Sequence, residues 1–224
     1  MKSEEATPRP EVEAVLHVSL LGNSVALDFV NTVDWRLDPQ RAEDLLTDEE
    51  VLLHWGARMG LLSPADLRDA TTDGGASPLL ERALDLREAL YSIFSAVAGG
   101  TEPATSDLDV LREAFAEGVA RARLQPGEDR NFRWSWAESN PAERVRWAVA
   151  ASAVELLSSG DLARIKQCRD EGCGWVFVDL SKNISRRWCS MQGCGARAKM
   201  RRQYRRKTTQ SPSSRRPKGS TRGG

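Results

Sequence analysis

The stretch CRDEGCGWVFVDLSKNISRRWCSMQGC, residues 168–194, holds all four cysteines of this 224-residue chain. They form two close pairs, Cys168 with Cys173 and Cys189 with Cys194, in the spacing C-x4-C-x15-C-x4-C. Four thiolates in two close pairs make a tetrahedral zinc site, with each sulfur about 2.3 Å from the metal. Since the protein supplies all four ligands and leaves no open position for water, we expect a structural zinc ion rather than a catalytic one.

Disulfide bonds and a redox-active pair are the two alternatives to a zinc site at the four cysteines. Two disulfides would need an oxidising compartment, because cytosolic thiols stay reduced. The polar residues 1–9 have no apolar stretch behind them, and no window approaches the roughly 18–20 apolar residues of a membrane helix. We therefore expect a cytoplasmic protein with no membrane contact. A redox-active pair is disfavoured because neither pair is C-x-x-C.

The residues around the cysteines predict the shape of the metal-binding module. Gly172 comes just before Cys173 and lets the chain turn tightly. Residues 175–183 indicate a strand and a turn, and a helix over 195–207 follows the second cysteine pair. A knuckle, a hairpin and then a helix form the layout of a treble-clef finger, with Trp175 and Trp188 expected to pack around the metal. Such a module of about 45 residues has too small a core to fold alone, and metal binding supplies on the order of 10 kcal/mol.

The helix predicted over 195–207 is strongly cationic, with seven Lys and Arg side chains in 13 residues. Ala196, Met200 and Tyr204 recur every four residues, so we expect this apolar stripe to dock on the finger. So many cations favour an anionic partner, because Arg and Lys bind phosphates and Arg also reads guanine. The candidate nucleic-acid-binding residues are Arg186, Arg187, Arg197, Lys199, Arg201, Arg202, Arg205 and Arg206. The alternative is a solvated helix in which some charges neutralise the zinc–tetrathiolate centre.

The charge of the whole chain divides at the same place. Lys+Arg and Asp+Glu are both 32, but residues 1–163 carry a net charge of −14 and residues 164–224 a net charge of +14. Such an asymmetry indicates two units with different partners. We predict a domain over 1–163, a zinc finger over 164–207 and a disordered basic tail over 208–224, because the tail has no apolar side chain except its proline ring carbons.

Residues 1–163 have mostly helical periodicity. Capping and glycine signals predict helices that begin near Thr47, Ser63, Ser77, Ser106 and Asn140. The apolar run over 25–30 fits a strand or a helix equally well. The alternation of residues 132–136 predicts a strand that places Trp134 and Trp136 in the core. The fold class expected is α+β: a mostly helical N-terminal domain with a few strands, then a small treble-clef-like finger.

The cysteine-rich module and the N-terminal part each resemble a known family. Residues 168–207 are similar to the CGNR zinc finger, which has an aromatic strand, a D-x-S-x-N turn, R-R-W-C-S-M, and C-G-N-R followed by basic residues. The fitting positions are Asp179, Ser181, Asn183, Arg186, Arg187, Trp188, Cys189, Ser190, Met191, Cys194, Gly195 and Arg197. The N-terminal part resembles the ABATE domain through LDFVNT (27–32) and SGDL (159–162). The resemblance implies a bacterial, stress-related transcription regulator with an α+β N-terminal domain.

One position departs from the family pattern. The asparagine of C-G-N-R is Ala196 in this chain, while all four metal ligands are kept. Any contact that an asparagine side chain makes here, to the hairpin or to a base, is missing.

Three classes of function follow from these observations. The first is a DNA-binding regulator in which the finger and tail bind DNA and the acidic domain senses a small ligand or forms a homodimer. The second is a protein-interaction adaptor, and RNA binding is a variant of the first because phosphate contacts do not distinguish the two nucleic acids. The third is an enzyme in the N-terminal domain, where Asp28, Asn31 and Arg41 are the candidate ligand-binding residues of a small-molecule pocket. With no nucleophile–base pair and no phosphate loop in view, we expect no enzymatic activity.

Overall fold

The computed structural model describes residues 8–69, 77–127, 131–136 and 138–209. Within these ranges the chain forms eight α-helices and six short strands, and the predicted mostly helical fold with a few strands is confirmed. The helices are α1 Pro10–His17, α2 Val25–Val30, α3 Glu49–Arg58, α4 Pro64–Asp69, α5 Pro78–Gly99, α6 Thr105–Arg121, α7 Pro141–Ser159 and α8 Ala196–Thr209. The strands are β1 Val33–Asp34, β2 Glu43–Asp44, β3 Arg123–Pro126, β4 Phe132–Ser135, β5 Ile165–Gln167 and β6 Val176–Val178. Residues 210–224 of the predicted tail lie outside the described residues.

Local signals determine where the long helices begin and end. The Ser77 hydroxyl accepts a hydrogen bond from the Leu79 amide at the start of α5, and the helix ends before Gly100, whose φ of 71° suits a residue without a side chain. Asn140 caps α7 through the Ala142 amide. The undecided run over 25–30 is the helix α2, buried almost completely because it lies between α5 and α7.

The hairpin of β3 and β4 differs from the sequence-based expectation. Leu124 lies opposite Trp134 in the antiparallel register, and their side chains are 56% and 57% exposed. The prediction that Trp134 belongs to the core is therefore wrong. Leu124 and Trp134 lie on the same face of the hairpin, as strand alternation requires, but that face points to solvent. Trp136 is half-buried, and its indole nitrogen donates to the Gly118 carbonyl at 2.7 Å.

The strands of the finger share the hydrophobic core of the N-terminal helices. Ile165 of β5 and Val176 of β6 are buried in the same cluster as the α2, α5 and α7 side chains. The Asn31 side chain pairs with the backbone of Val176 in both directions, since its amide donates to the carbonyl and its oxygen accepts from the N–H, each at 2.9 Å. The Trp175 indole donates to the Val33 carbonyl at 3.0 Å. The finger is therefore joined to the larger domain by buried hydrogen bonds as well as by apolar packing.

Replacing Asn31 by alanine tests this junction. We expect Asn31→Ala to destabilise the zinc-loaded chain by roughly 2–4 kcal/mol, because each buried backbone group left unpaired costs about 1–3 kcal/mol. Urea unfolding measures the loss, and hydrogen exchange of the Val176 amide should accelerate. The control is Asn183→Ala at an exposed position, where we expect a change of at most about 0.5 kcal/mol. Equal stability of the two variants would contradict the assigned role of Asn31.

Candidate metal centre and nucleic-acid interface

The four cysteine sulfurs lie close enough to share one metal ion. All four are buried, and their Sγ atoms lie within 4.8 Å of one another. Cys189 Sγ is 3.6 Å from Cys173 Sγ and 3.4 Å from Cys194 Sγ. Sulfurs at tetrahedral positions about 2.3 Å from a zinc ion are separated by about 3.8 Å, so the arrangement fits zinc. It does not fit disulfides, because all four thiols are free.

Two different turns bring the cysteine pairs together. The first pair flanks the turn that joins β5 to β6, and Gly174 directly after it has a φ of 75° that favours glycine. In the second pair, Cys189 precedes a single π-helical turn, Met191–Gly195, that contains Cys194, and the Ser190 hydroxyl accepts from the Gly193 amide at 3.1 Å. Trp175 and Trp188 pack against the cysteines, which confirms their predicted place around the metal.

Ionisation of the cluster depends on a cation. Contact with Cys168, whose own pKa is lowered by its neighbours, raises the pKa of Cys173, Cys189 and Cys194 above the ordinary thiol value. Four thiolates at this separation repel one another, so a bound metal is needed to hold all of them deprotonated. Zinc would supply that charge, and the chain's own residues would hold it in a closed, structural site.

Asp170, inside the first cysteine pair, anchors α8 to the finger. Its carboxylate is 1% exposed and accepts from Arg197 Nε at 2.8 Å and from Arg201 Nη2 at 2.7 Å. Burial alone would raise the pKa of Asp170, but the hydrogen bonds from Arg201 and Arg197 outweigh it and hold that pKa below its usual range. Arg197 also donates to Cys194 Sγ at 2.9 Å, and its guanidinium lies 4.3 Å from the centre of the Trp35 ring. One arginine therefore contacts the metal centre, the knuckle and the N-terminal domain.

The docked face of α8 is the arginine stripe and not the apolar one. Met200 and Tyr204 are 60% and 71% exposed, so the prediction that they pack on the finger is wrong. Both stripes recur every four residues, and the buried Asp170 carboxylate decides between them because it needs cationic partners. Ala196, at the start of α8, is half-buried.

The remaining predicted nucleic-acid-binding residues occupy different positions on the finger. Arg186 is half-buried, donates to the Cys189 and Leu21 carbonyls at 2.5 and 3.3 Å, and lies 4.0 Å from the Phe177 ring centre. Arg187 is exposed, 5.2 Å from the Trp188 ring centre. Arg205 approaches Glu171 at 3.8 Å at the surface. The exposed residues that follow the helical spacing on the far side of α8 from Asp170 are Lys199, Arg202 and Arg206.

Comparison with known families fits this geometry. Residues 23–160 match the family ABATE, described as "Putative stress-induced transcription regulator". The chain belongs to the ABATE family. Residues 164–207 match the CGNR zinc finger, and the four cysteines are placed to hold one metal ion, consistent with zinc. No curated protein matches the chain. In the described residues, no helix is long and apolar enough to cross a membrane.

The candidate ligand-binding residues of the ABATE domain make internal contacts. Asp28 is buried, accepts from the Gly22 amide at 2.7 Å, and has its pKa raised by burial. Asn31 pairs with β6, and the Arg41 guanidinium lies 3.2 Å from the Trp35 ring centre. The structure thus places Asp28 on α2 and Asn31 directly after its last residue, with Arg41 on a separate loop. Their role in binding a ligand stays a prediction.

Sequence reasoning missed Asp170, which holds Arg197 and Arg201 of α8 against the finger. The signal available in the sequence was an acidic residue inside the first cysteine pair, together with two arginines four positions apart on the following helix. We expect Asp170→Ala to lower the zinc affinity by about 10–100-fold, as loss of a residue that orients metal ligands does. Competition with a chromogenic chelator measures the affinity.

The neighbouring residue provides the control for that experiment. Glu171→Ala removes the same charge from an exposed side chain, and we expect its zinc affinity to stay within about twofold of the original chain because exposed ion pairs contribute little. Cys189→Ser should abolish stoichiometric zinc binding and defines the baseline of the assay. If Asp170→Ala and Glu171→Ala bound zinc equally well, Asp170 would have no part in the metal centre.

Proposed function

We propose that this zinc-binding member of a regulator family is a DNA-binding transcription regulator, and that the outer face of α8 is its DNA-contacting surface. The observation that carries the proposal is the division of the helix into two cationic faces. Arg197 and Arg201 face Asp170, whereas Lys199 and Arg202 are exposed and make no ion pair with any described residue. Arg206 continues the outer face by spacing, and Gln203 lies between these cations.

The inner face of α8, which carries Arg197 and Arg201, supports DNA binding indirectly. A helix of 14 residues is about 21 Å long and fits the major groove, which is about 12 Å wide. Because the two ion pairs with Asp170 fix α8 on the finger, its outer cations are oriented before any DNA arrives. Arg186, Arg197 and Arg201 are positioning residues in this proposal. The net charge of −14 on residues 1–163 would repel DNA from the ABATE domain and direct it to the finger.

A salt titration with a matched pair of variants tests the proposal. If six to eight phosphates are engaged, the logarithm of the affinity should fall against the logarithm of salt concentration with a slope of roughly −5 to −7. Lys199→Ala combined with Arg202→Ala should weaken binding across sequences and reduce the slope by about 2. Fluorescence anisotropy with a labelled duplex and zinc-loaded full chain gives both quantities.

The control variant changes the same charge outside the finger. Arg112→Ala combined with Arg123→Ala alters two exposed positions, on α6 and β3, and should leave the affinity and the slope unchanged. A slope near zero for the original chain, with zinc still bound, would exclude DNA binding and favour the adaptor hypothesis. Equal losses in both double variants would place the binding surface elsewhere, and tighter binding to RNA than to DNA would favour the RNA variant.

Regulation requires sequence-specific sites. Crosslinking the protein to its own genome and sequencing the bound DNA should give sharp peaks upstream of genes. Diffuse enrichment would indicate non-specific binding by the basic finger. The same proposal holds that the protein acts without enzymatic activity, forms a homodimer and senses a ligand through the ABATE domain. Paired half-sites in the peaks would support the dimer.

A further inference from the structure

A cationic cleft lies where the finger meets the end of the longest helix. It has a volume of about 540 Å³ and is lined by Ala98 and Gly99 of α5, by β5 and by the loop before Cys189. Four cations line it, Lys166, Arg169, Arg186 and Arg187. Among the described lining residues, none carries a carboxylate.

Two of the four cations are committed to the protein's own structure. Lys166 Nζ lies 3.0 Å from the Asp179 carboxylate, which is fully buried, and also donates to the Ile184 carbonyl. Arg186 donates to backbone carbonyls and covers Phe177. These contacts fix both side chains in the wall of the cleft. Of the two cations, only Lys166 has a carboxylate partner.

The other two cations are available to a ligand. The Arg169 amide donates to the Arg187 carbonyl at 3.0 Å, so the two residues are neighbours although 18 positions apart in sequence. Both side chains are exposed, and neither makes an ion pair with any residue that the structure describes. Both residues line the cleft, and the planar donors of an arginine side chain match phosphate oxygens in pairs.

We propose that this cleft binds a small molecule that carries a phosphate group, with Arg169 and Arg187 holding the phosphate. The volume lies within the range of about 300–1,000 Å³ that is usual for small-molecule sites. Ala98 and Ile184 provide apolar surface for the rest of such a molecule. The concave shape distinguishes the cleft from the outer face of α8, which is a convex helix surface suited to a groove of DNA.

The position of the cleft gives the ligand a regulatory role. One wall is the end of α5 in the ABATE domain, and the opposite wall is the loop that leads into the second cysteine pair. A bound phosphate would therefore contact the finger directly while its organic part touches the ABATE domain. This inference stands independently of DNA binding, because it rests on the cleft and its unpaired arginines.

Titration of the zinc-loaded full chain with inorganic phosphate tests the proposal. Ionic strength is held constant with chloride, and two-dimensional NMR follows the amides and the arginine Nε–H groups. We expect saturable shifts at Arg169 and Arg187, and at least tenfold weaker phosphate binding in a variant that combines Arg169→Gln with Arg187→Gln. A variant combining Lys199→Gln with Arg202→Gln makes the same charge change on α8 and should bind phosphate within about twofold of the original chain.

A second titration separates a small ligand from DNA. Adenosine 5′-monophosphate, a phosphate monoester with an organic body, should bind at least as tightly as phosphate, and adenosine should not bind. The proposal is overturned if the shifts are linear and spread over all exposed arginines, or if the two double variants bind phosphate equally. It is also overturned if the Arg169/Arg187 variant loses DNA affinity while the original chain shows no saturable phosphate binding, because the cleft is then a DNA contact. Saturable phosphate binding without DNA affinity would support the cleft and contradict only the proposed DNA-binding function.

Discussion

The balance of charge around the cysteine cluster determines how the finger is built. Four thiolates on one zinc ion leave two net negative charges, and Asp170, 1% exposed, adds a third nearby. Buried charge is unfavourable unless it is paired and hydrogen-bonded. Arg197 donates to both Asp170 and Cys194 Sγ, and Arg201 completes the pairing of the carboxylate. Because both arginines belong to α8, the same contacts that stabilise the metal centre set the direction of the helix.

The second constraint is size, since a finger of this length has little core of its own. Its two strands therefore bury Ile165 and Val176 among the helices of the ABATE domain, and Asn31 satisfies the outer edge of β6 as a neighbouring strand would. Because the LDFVNT segment (27–32) contains Asn31, it helps to position the finger. A change at the end of α5 would reach the metal-binding loop through one continuous packed unit, which is the physical basis for the proposed coupling between a ligand and the finger.

The features predictable from sequence were those set by local chemistry. Cysteine spacing indicated the metal site, and Ser77 and Asn140 marked the beginnings of helices, because caps and ligands act within a few residues. The failures were non-local. The run over 25–30 is too short for its periodicity to separate helix from strand, and Trp134 alternates correctly on a hairpin whose apolar face meets solvent. On α8, two stripes had equal spacing, and a carboxylate 27 and 31 residues away in sequence selected the arginines.

The same charge balance explains why α8 stays anchored although Ala196 stands where the family has asparagine. Ala196 is half-buried at the first turn of α8, and the helix is held by Arg197 and Arg201 rather than by the side chain at position 196. Loss of the asparagine thus removes one hydrogen-bonding group without removing the anchor of the helix. In the proposed complex with DNA, base recognition would then depend on the outer face, where Arg202 and Gln203 supply side chains able to pair with guanine and adenine.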